Sequence, residues 1–378
     1  MAEKLTKKDK DLLKENEAQL QNEQEQREQR IRNRALLKEC EPAAFQMLDK
    51  AVKENTLSHA ILFSGPKGSL KKEMAVLLAQ TLLCGCETGL IEEENADEMQ
   101  QRICARVGKD AYSGYIFLNG YRKQMIAKEE IDAIESRFSK TAAEGNGIRV
   151  YVIDHMENAS AGAQNSLLKF LEEPADNVFA IITCDNPQGV LQTIRSRCVT
   201  IAFRPVSEEV FRRCAEDAGL DEEDVWLMSS FSCDINALQD TAASNAYQTA
   251  KKMIRQYLGI EGDRRLLAVD YDVRYRVKGK KTGEEQGVRS GDARDENMDI
   301  LNMFFSMLIQ YARAVILCDD KGPAWYHNAV SAASKSQNRS YYADIMRIAG
   351  EERDLVNRNN DLNLLFAQAV YRLEVAKK

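Results

Sequence analysis

Four short apolar runs, separated mostly by helical patterns, mark the chain between residues 39 and 205. They occupy residues 60–63, 150–153, 178–182 and 199–203, and they are rich in β-branched side chains with almost no polar alternation. Short continuous runs of this kind are typical of strands that are buried on both faces of a parallel sheet. The pattern therefore predicts an α/β domain whose parallel sheet is covered by helices on both faces.

Beyond residue 205 the pattern is helical. Ser207 stands before Glu208 and Glu209, as an N-cap stands before an acidic first turn, and helical spacing continues to about residue 259. After a polar and charge-dense stretch, long helical segments return, including 300–317 and 361–375. The second half of the chain is therefore predicted to be all-α.

The first 38 residues are rich in Lys, Glu, Gln and Asn, and their apolar positions are too sparse for a heptad seam. This favours a solvated helix or a disordered arm, and the alternative is a helix that binds a partner. The pattern divides the chain into a charged arm, an α/β domain, a helical segment, a polar linker or excursion, and a second helical domain. The predicted bounds of these parts are 1–38, 39–205, 206–262, 263–297 and 298–378.

Composition and charge limit the classes of protein that the chain can represent. Aromatic residues make up 7% of the 378 residues and only six are Pro, which favours helix over a β-rich architecture. No run of about 18 apolar residues occurs, so we expect no membrane span. The nine cysteines are scattered and no secretory signal precedes them, which indicates a reducing cytoplasm.

The net charge of −7 bears on any role with nucleic acid. A protein that binds DNA without partners is usually basic, because the neutralisation of phosphate charges by Lys and Arg supplies most of the affinity. A nucleic-acid role would therefore be shared with partners or confined to a local patch. The basic positions between residues 264 and 281 could contact a DNA backbone, but the Asp residues among them favour a solvated loop.

A degenerate phosphate-binding loop follows the first apolar run. A working P-loop reads G-x-x-x-x-G-K-[ST] between a strand and a helix. Gly65 matches the first Gly and Lys71 matches the phosphate lysine, with Gly68 inside the loop, but Leu70 replaces the second Gly and Lys72 replaces the hydroxyl residue. A Cβ at position 70 resists the close backbone approach, and an ammonium at position 72 repels Mg²⁺. We interpret the loop as a βα turn without ATP hydrolysis; residual nucleotide binding is the lesser alternative.

The second apolar run ends in a degenerate Walker B motif. Asp154 stands where such a motif has its acid, but His155 replaces the Glu that usually polarises the attacking water. An imidazole lacks the fixed negative charge and the reach of that Glu. The two degenerate motifs together therefore predict that the chain keeps the fold of a P-loop ATPase but does not hydrolyse ATP.

Residues 165–174 read Asn-Ser-Leu-Leu-Lys-Phe-Leu-Glu-Glu-Pro, and residues 193–198 read Thr-Ile-Arg-Ser-Arg-Cys. In this order the two segments resemble the clamp-loader subunits of bacterial DNA polymerase III, which are AAA+ proteins. Among those, delta-prime subunits often have a degenerate P-loop. The resemblance implies a degenerate AAA+ domain with a parallel sheet, then a helical lid over 206–262 and a helical collar over 298–378 that assembles a ring.

The resemblance also implies a role for Arg197 between Ser196 and Cys198. Arg197 would act in trans as an arginine finger on ATP that is bound to a neighbouring motor subunit. The partners that follow are motor subunits and a delta-type subunit in a hetero-oligomeric ring, with the sliding clamp and primed DNA reached through that ring. The chain would thereby serve a DNA-directed DNA polymerase holoenzyme without hydrolysing ATP itself. The alternatives are an active ATPase motor of the same family and an AAA+-like scaffold outside replication.

Three cysteines are the weak candidates for a metal site. The relatives usually carry four Cys as a zinc module after the P-loop helix, whereas this chain has Cys84, Cys86 and Cys104 without any C-x-x-C pair. A structural zinc site needs four N or S ligands. We therefore expect no tightly bound zinc and no other cofactor, with a zinc completed by a distant residue such as Cys40 as the lesser alternative.

Overall fold

The computed structural model describes residues 7–120, 125–140, 145–231, 235–271, 290–318, 322–335, 339–356 and 361–376. The chain forms two compact units, Met1–Val206 and Ser207–Lys378. The first unit ends one residue beyond the predicted end of the α/β domain. The second unit contains both helical regions, so the division into a lid and a collar stays a prediction.

A five-stranded parallel sheet forms the centre of the first unit. Its strands are β1 (Ala60–Ser64), β2 (Tyr115–Asn119), β3 (Arg149–Asp154), β4 (Val178–Cys184) and β5 (Val199–Ala202). The order across the sheet is β2-β3-β4-β1-β5, and all four pairs of neighbours are parallel. The predicted parallel α/β class is confirmed. The edge strand β2 was not predicted, because its short run 115–118 shows no distinctive alternation.

Seven helices accompany the sheet in the described part of the first unit. They are α1 (Lys7–Cys40), α2 (Pro42–Lys53), α3 (Lys71–Leu83), α4 (Glu98–Gly108), α5 (Lys128–Lys140), α6 (Ala161–Glu172) and α7 (Gln192–Arg195). Helices α5, α6 and α7 pack on the face that carries Leu62, Tyr151 and Ile182. Helix α3 contacts β1, β3 and β4, and the alternation of side chains along a strand places it on the opposite face.

Helix α1 differs from the solvated or disordered arm that the sequence favoured. Its last turns pack into the first unit, where Leu37 is fully buried. Three arginines at helical spacing hold the segment 90–93: Arg27 Nη2 donates to Glu93 O at 3.1 Å, Arg30 pairs with the Glu93 carboxylate, and Arg34 Nε donates to Ile91 O at 2.9 Å. These contacts were not apparent from the sequence, because the segment that they hold lies far along the chain. Residues 1–6 of the predicted arm lie outside the described residues.

The second unit is all-α, as predicted. Its helices are α8 (Glu208–Asp217), α9 (Glu222–Met228), α10 (Leu238–Ala243), α11 (Asn245–Tyr257), α12 (Ser290–Leu317), α13 (Ala324–Lys335), α14 (Arg339–Val356) and α15 (Leu362–Val375). Ser207 is the N-cap of α8, since its Oγ accepts a hydrogen bond from Val210 N at 3.3 Å.

Helix α12 is the central helix of this unit and packs against α11 and α14. Its stretch Glu296–Leu317 is long and apolar enough to cross a membrane by length and composition, but 61% of the apolar window is buried inside the fold. Leu301, Phe304 and Leu308 are fully buried there. The apolar stretch is therefore used for the core of the second unit.

The predicted linker 263–297 is partly ordered. Helix α12 begins at Ser290, seven residues before the predicted end of the linker at residue 297. Residues 272–289, with most of the basic positions considered for DNA, lie outside the described residues. Arg264 is tied into the fold: its guanidinium carbon lies 4.0 Å from the Tyr257 ring centroid, Nη2 donates to Tyr341 Oη at 2.9 Å, and Nε pairs with Glu374 at 2.8 Å. Arg264 is thus a structural cation.

The packing of α1 can be tested with Leu37→Ala. We expect the free energy of unfolding of the first unit to fall by about 2–5 kcal/mol, because a buried Leu is replaced and a cavity remains. Hydrogen exchange of the β1 amides is the appropriate measurement, because both tryptophans, Trp226 and Trp325, lie in the second unit. Met99→Ala is the control: Met99 is 63% exposed, so the change should stay within about 0.5 kcal/mol. Equal effects of the two substitutions would show that α1 is only a surface arm.

Candidate functional site

The loop 65–70 lies at the carboxyl end of β1, next to the ends of β3 and β4. Gly65 N donates to Cys184 O at 3.2 Å, which ties the loop to the end of β4. A Cβ at Gly65 would lie 2.5 Å from Phe203 O, so this position accepts only glycine. The carboxyl edge of an open α/β sheet is where such folds bind ligands, and we therefore take this edge as the candidate site.

Leu70 adopts the conformation that a glycine would supply. Its φ is 56° and its ψ is 21°, in the left-handed region, and it is the last residue before α3. A side chain disfavours this conformation, but Leu70 is 4% exposed and its buried side chain offsets part of the strain. Gly68, with φ of 76°, makes the other left-handed turn of the loop. The loop therefore keeps the left-handed backbone conformation at position 70, although the glycine of a working P-loop is replaced there by Leu.

The ammonium group of Lys71 is fully engaged within the chain. Its Nζ lies 2.7 Å from Gly65 O, 2.8 Å from Pro66 O, 3.0 Å from Ser69 Oγ and 2.9 Å from Asp185 Oδ1. An ammonium has three N–H donors, so these four acceptors use all of them. Lys71 is also 6% exposed. A phosphate could bind this lysine only by displacing contacts that the chain already makes.

His155 lies between two carboxylates at the same edge. Its Nδ1 is 2.9 Å from Asp154 Oδ2, and its Nε2 is 3.6 Å from Asp185 Oδ2. Asp154 Oδ1 also accepts a hydrogen bond from Thr183 Oγ1 at 2.5 Å. Asp185 is therefore shared between His155 and Lys71. The negative charges of the two carboxylates therefore equal the positive charges of His155 and Lys71 in number.

This network shifts the pKa of its members in opposite directions. Burial opposes the charged form of His155, but the neighbouring carboxylates of Asp154 and Asp185 outweigh it and raise the pKa to about 10. Burial likewise opposes ionisation of both acids, and their cationic neighbours nevertheless hold the pKa of each below its usual range. At neutral pH the imidazolium is therefore charged, so His155 cannot accept a proton from water as a general base does.

Lys72 occupies the position of the missing hydroxyl and is exposed. Its Nζ lies 5.7 Å from the centroid of the Phe117 ring, and its charge helps to lower the pKa of Asp154. A cation beside Asp154 disfavours a second cation there. The carboxylates of Asp154 and Asp185 are thus already paired with donors of the chain itself rather than available to Mg²⁺.

Arg197 lies away from this network, in the segment after α7. Its Nη1 donates to Thr193 O at 2.9 Å, and its Nη2 pairs with Glu172 Oε1 at 2.6 Å. Ser196 Oγ donates to the same Thr193 carbonyl at 3.1 Å. Burial raises the pKa of the Cys198 thiol to about 12, so Cys198 is a packed thiol rather than a reactive one.

The three cysteines considered for zinc come together only in part. Cys84 Sγ and Cys104 Sγ are 3.7 Å apart, whereas Cys86 Sγ accepts a contact from Gln100 Nε2 at 3.5 Å. Within the described ranges, no group of three or more His, Cys, Asp or Glu side chains is arranged to hold a metal ion.

Comparison with known proteins bears on the segment that carries this site. Residues 40–207 match the family described as "DNA polymerase III, delta subunit". The chain is 36% identical over 170 residues to DNA polymerase III subunit delta' of Bacillus subtilis, covering 45% of this chain and 49% of that protein. Residues 40–207 are therefore similar in sequence to delta-type subunits of bacterial DNA polymerase III.

Further relatives are consistent with that assignment and show its limits. The tau subunit of B. subtilis DNA polymerase III is 28% identical over 222 residues, which cover 57% of this chain and 36% of that protein. The chain thus spans about half the length of the delta' relative, and less of tau. A solved gamma-subunit-related protein of Thermotoga maritima aligns over 88% of this chain and 99% of that one, with 15% identity and a TM-score of 0.39.

Three residues of the segment 40–207 were not predicted from the sequence: Thr183, Asp185 and Glu172. The first two could have been found, because parallel strands end at one edge and the run at 178–182 continues to polar residues. For Glu172 the sequence alone predicts only a solvated face or an interface contact. Its contact with Arg197 joins two motifs whose proximity the sequence does not show.

The charged state of His155 gives a pH prediction. The pKa is about 10 in the folded chain against an ordinary 6.5, so its contribution to stability is complete below about pH 6.5 and is lost as the pH rises through about 10. We expect the His155 imidazole to titrate far above 6.5 by NMR, and Asp185→Asn to lower its pKa. His155→Gln should also weaken the decline of stability between about pH 7 and 10. Titration of His155 near 6.5 would contradict the ion-paired arrangement.

Proposed function

We propose that this chain is a delta-prime-like clamp-loader subunit of a bacterial DNA polymerase III, and that it does not hydrolyse ATP. The observation that carries the proposal is the state of Lys71, whose donors are all taken by Gly65 O, Pro66 O, Ser69 Oγ and Asp185. The family match over residues 40–207 and the similarity of the chain to delta' of B. subtilis support the assignment to this subunit type.

Three features of the site support the absence of hydrolysis. The loop lacks the hydroxyl that would ligate Mg²⁺, because Lys72 stands there. Asp154 is already paired with His155 and Thr183. His155 itself is cationic at neutral pH and cannot activate water. The Mg²⁺ ligand, the free acid and the base that activates water would each have to be restored. A single substitution should therefore not produce ATP hydrolysis.

The chain acts, in this proposal, as a stator in a hetero-oligomeric ring with motor subunits and a delta-type subunit. Arg197 is the residue that we assign to catalysis in trans, since a guanidinium is permanently charged and can fork onto phosphate oxygens. In the helical unit 207–378, residues 206–262 would serve as the lid and residues 298–378 as the collar. The ring would load the sliding clamp onto primed DNA in the cytoplasm.

Two rival functions make different demands on the site. An active motor subunit needs a nucleotide and Mg²⁺ at the 65–71 loop, and the similarity to tau is the observation that favours it. A scaffold of the same fold outside replication needs neither nucleotide nor clamp-loader partners. Co-purification with clamp-loader subunits from the native cell separates the scaffold from the other two.

The isolated chain is expected to show no ATP turnover. Lys71→Ala is the diagnostic variant, because a contaminating ATPase does not respond to it. The measurement is steady-state phosphate release by both proteins, with Lys67→Ala as a matched control in the same loop. Turnover that disappears in Lys71→Ala but persists in Lys67→Ala would identify a motor subunit and overturn the proposal.

Arg197→Ala should leave the chain folded, since an exposed ion pair contributes about 1 kcal/mol or less. In the reconstituted ring we expect DNA- and clamp-stimulated ATPase activity to fall, because one site loses an interaction worth roughly 10³-fold or more. Arg197→Lys should rescue poorly, because an ammonium cannot fork onto two oxygens. Arg195→Ala, two residues away, is the control. Unchanged ATPase and clamp loading in Arg197→Ala rings would make Arg197 a structural residue.

We also propose that no zinc is bound tightly at Cys84, Cys86 and Cys104. The purified chain should contain well under one equivalent of zinc by elemental analysis, because a stable structural site needs four ligands. One equivalent that is lost in Cys84→Ser, but retained in Cys318→Ser, would reverse this proposal.

A further inference from the structure

The contact between Glu172 and Arg197 joins the two motifs that carry the family resemblance. Glu172 is the last residue of α6, and Arg197 follows α7 by two residues. Their side chains meet at 2.6 Å and remain 50% and 35% exposed, respectively. The guanidinium is therefore held in place while it is still accessible from solvent.

We propose that Glu172 is a positioning residue for Arg197, an inference that rests on the proposed function. An arginine side chain has several rotatable bonds and loses much rotamer freedom when it is ordered. Glu172 and the carbonyl of Thr193 fix its two terminal nitrogens in the free chain. The guanidinium is thus oriented before a nucleotide on a neighbouring subunit arrives.

The number of donors is compatible with this role. A guanidinium has five N–H donors, and the contacts with Glu172 and Thr193 use two of them. The other donors remain for an additional acceptor such as a phosphate oxygen. Glu172 therefore fixes the orientation of the group without using all of its hydrogen-bonding capacity.

The position of Glu172 on its helix explains why an arginine is drawn to it. The carboxyl end of a helix carries partial negative charge, where an acidic side chain is disfavoured and a cation is stabilising. Glu172 is the final residue of α6, and Arg197 supplies the compensating cation. Glu173, the next residue, is also exposed, and its described contacts do not include Arg197.

The contact is also weak enough to yield to a stronger anion. Ion pairs with this degree of exposure shift an equilibrium by roughly five-fold or less. A triphosphate carries more charge and can accept bidentate hydrogen bonds. Glu172 should therefore bias the orientation of Arg197 in the free chain without preventing its use by a partner.

The first arm of the test uses the isolated chain and does not depend on the proposed function. Phenylglyoxal modifies accessible guanidinium groups, and peptide mass spectrometry gives the rate at Arg197. We expect Glu172→Gln to raise this rate by roughly two- to five-fold, and the matched control Glu173→Gln to leave it unchanged. Equal rates in the unmodified chain and in Glu172→Gln would overturn the positioning role.

The second arm uses the assembled ring with its native partner subunits. We expect Glu172→Gln to lower kcat for ATP several-fold with little change in KM, because Arg197 acts on the transition state. Glu172→Asp should restore part of the loss, and Glu173→Gln should behave as the unmodified ring. In an Arg197→Ala background, Glu172→Gln should have no further effect.

The two arms of the test distinguish a failure of the arginine-finger proposal from a failure of the positioning proposal for Glu172. A ring in which Arg197→Ala has no effect refutes the arginine finger, whatever the phenylglyoxal result. A ring in which Arg197→Ala lowers activity but Glu172→Gln does not refutes the positioning role alone. A loss from Glu172→Gln that persists in the Arg197→Ala background also refutes it, because the effect would then be structural.

Discussion

The ion pair between Lys71 and Asp185 is the interaction on which the character of the candidate site depends. It joins the loop after β1 to the residue that follows β4, two strands that are neighbours in the sheet. Through Asp185 the pair reaches His155, and through His155 it reaches Asp154. One ammonium, one imidazolium and two carboxylates therefore neutralise one another where an ATPase needs charge for a phosphate and a metal ion. The residues that replace the catalytic groups and the residues that remain are thus paired with one another in a single network.

The same principle recurs in the rest of the molecule, because a buried charge is tolerated only with a partner. Glu93 is 5% exposed and is held by Arg30, which fixes the segment before α4 against α1. In the second unit, Glu352 is fully buried and accepts a hydrogen bond from Arg372 Nη1 at 2.6 Å. These pairs specify which helix faces meet, in addition to the apolar contacts around them. A charge-rich chain with few aromatic residues can thus build two well-defined units.

The candidate finger contrasts with these buried pairs. Arg197 and Glu172 are both substantially exposed, so their contact is screened by water and readily exchanged. The chain thus combines an internally paired group of charges at the carboxyl edge of the sheet with an exposed guanidinium on a different part of the same unit. The proposed role of Arg197 in trans requires such an exposed guanidinium.

The sequence alone determined the parallel α/β class, four of the five strands, the helical second half and the positions at which the phosphate loop departs from a working one. These features are local, since strand burial, helix spacing and the residue at a motif position can be read within short windows. Only the tertiary structure decided the partners of Lys71, His155 and Arg197, the left-handed backbone of Leu70 and the packing of α1. Those outcomes depend on which strands and helices become neighbours, and residues far apart in sequence meet only once the sheet order is set.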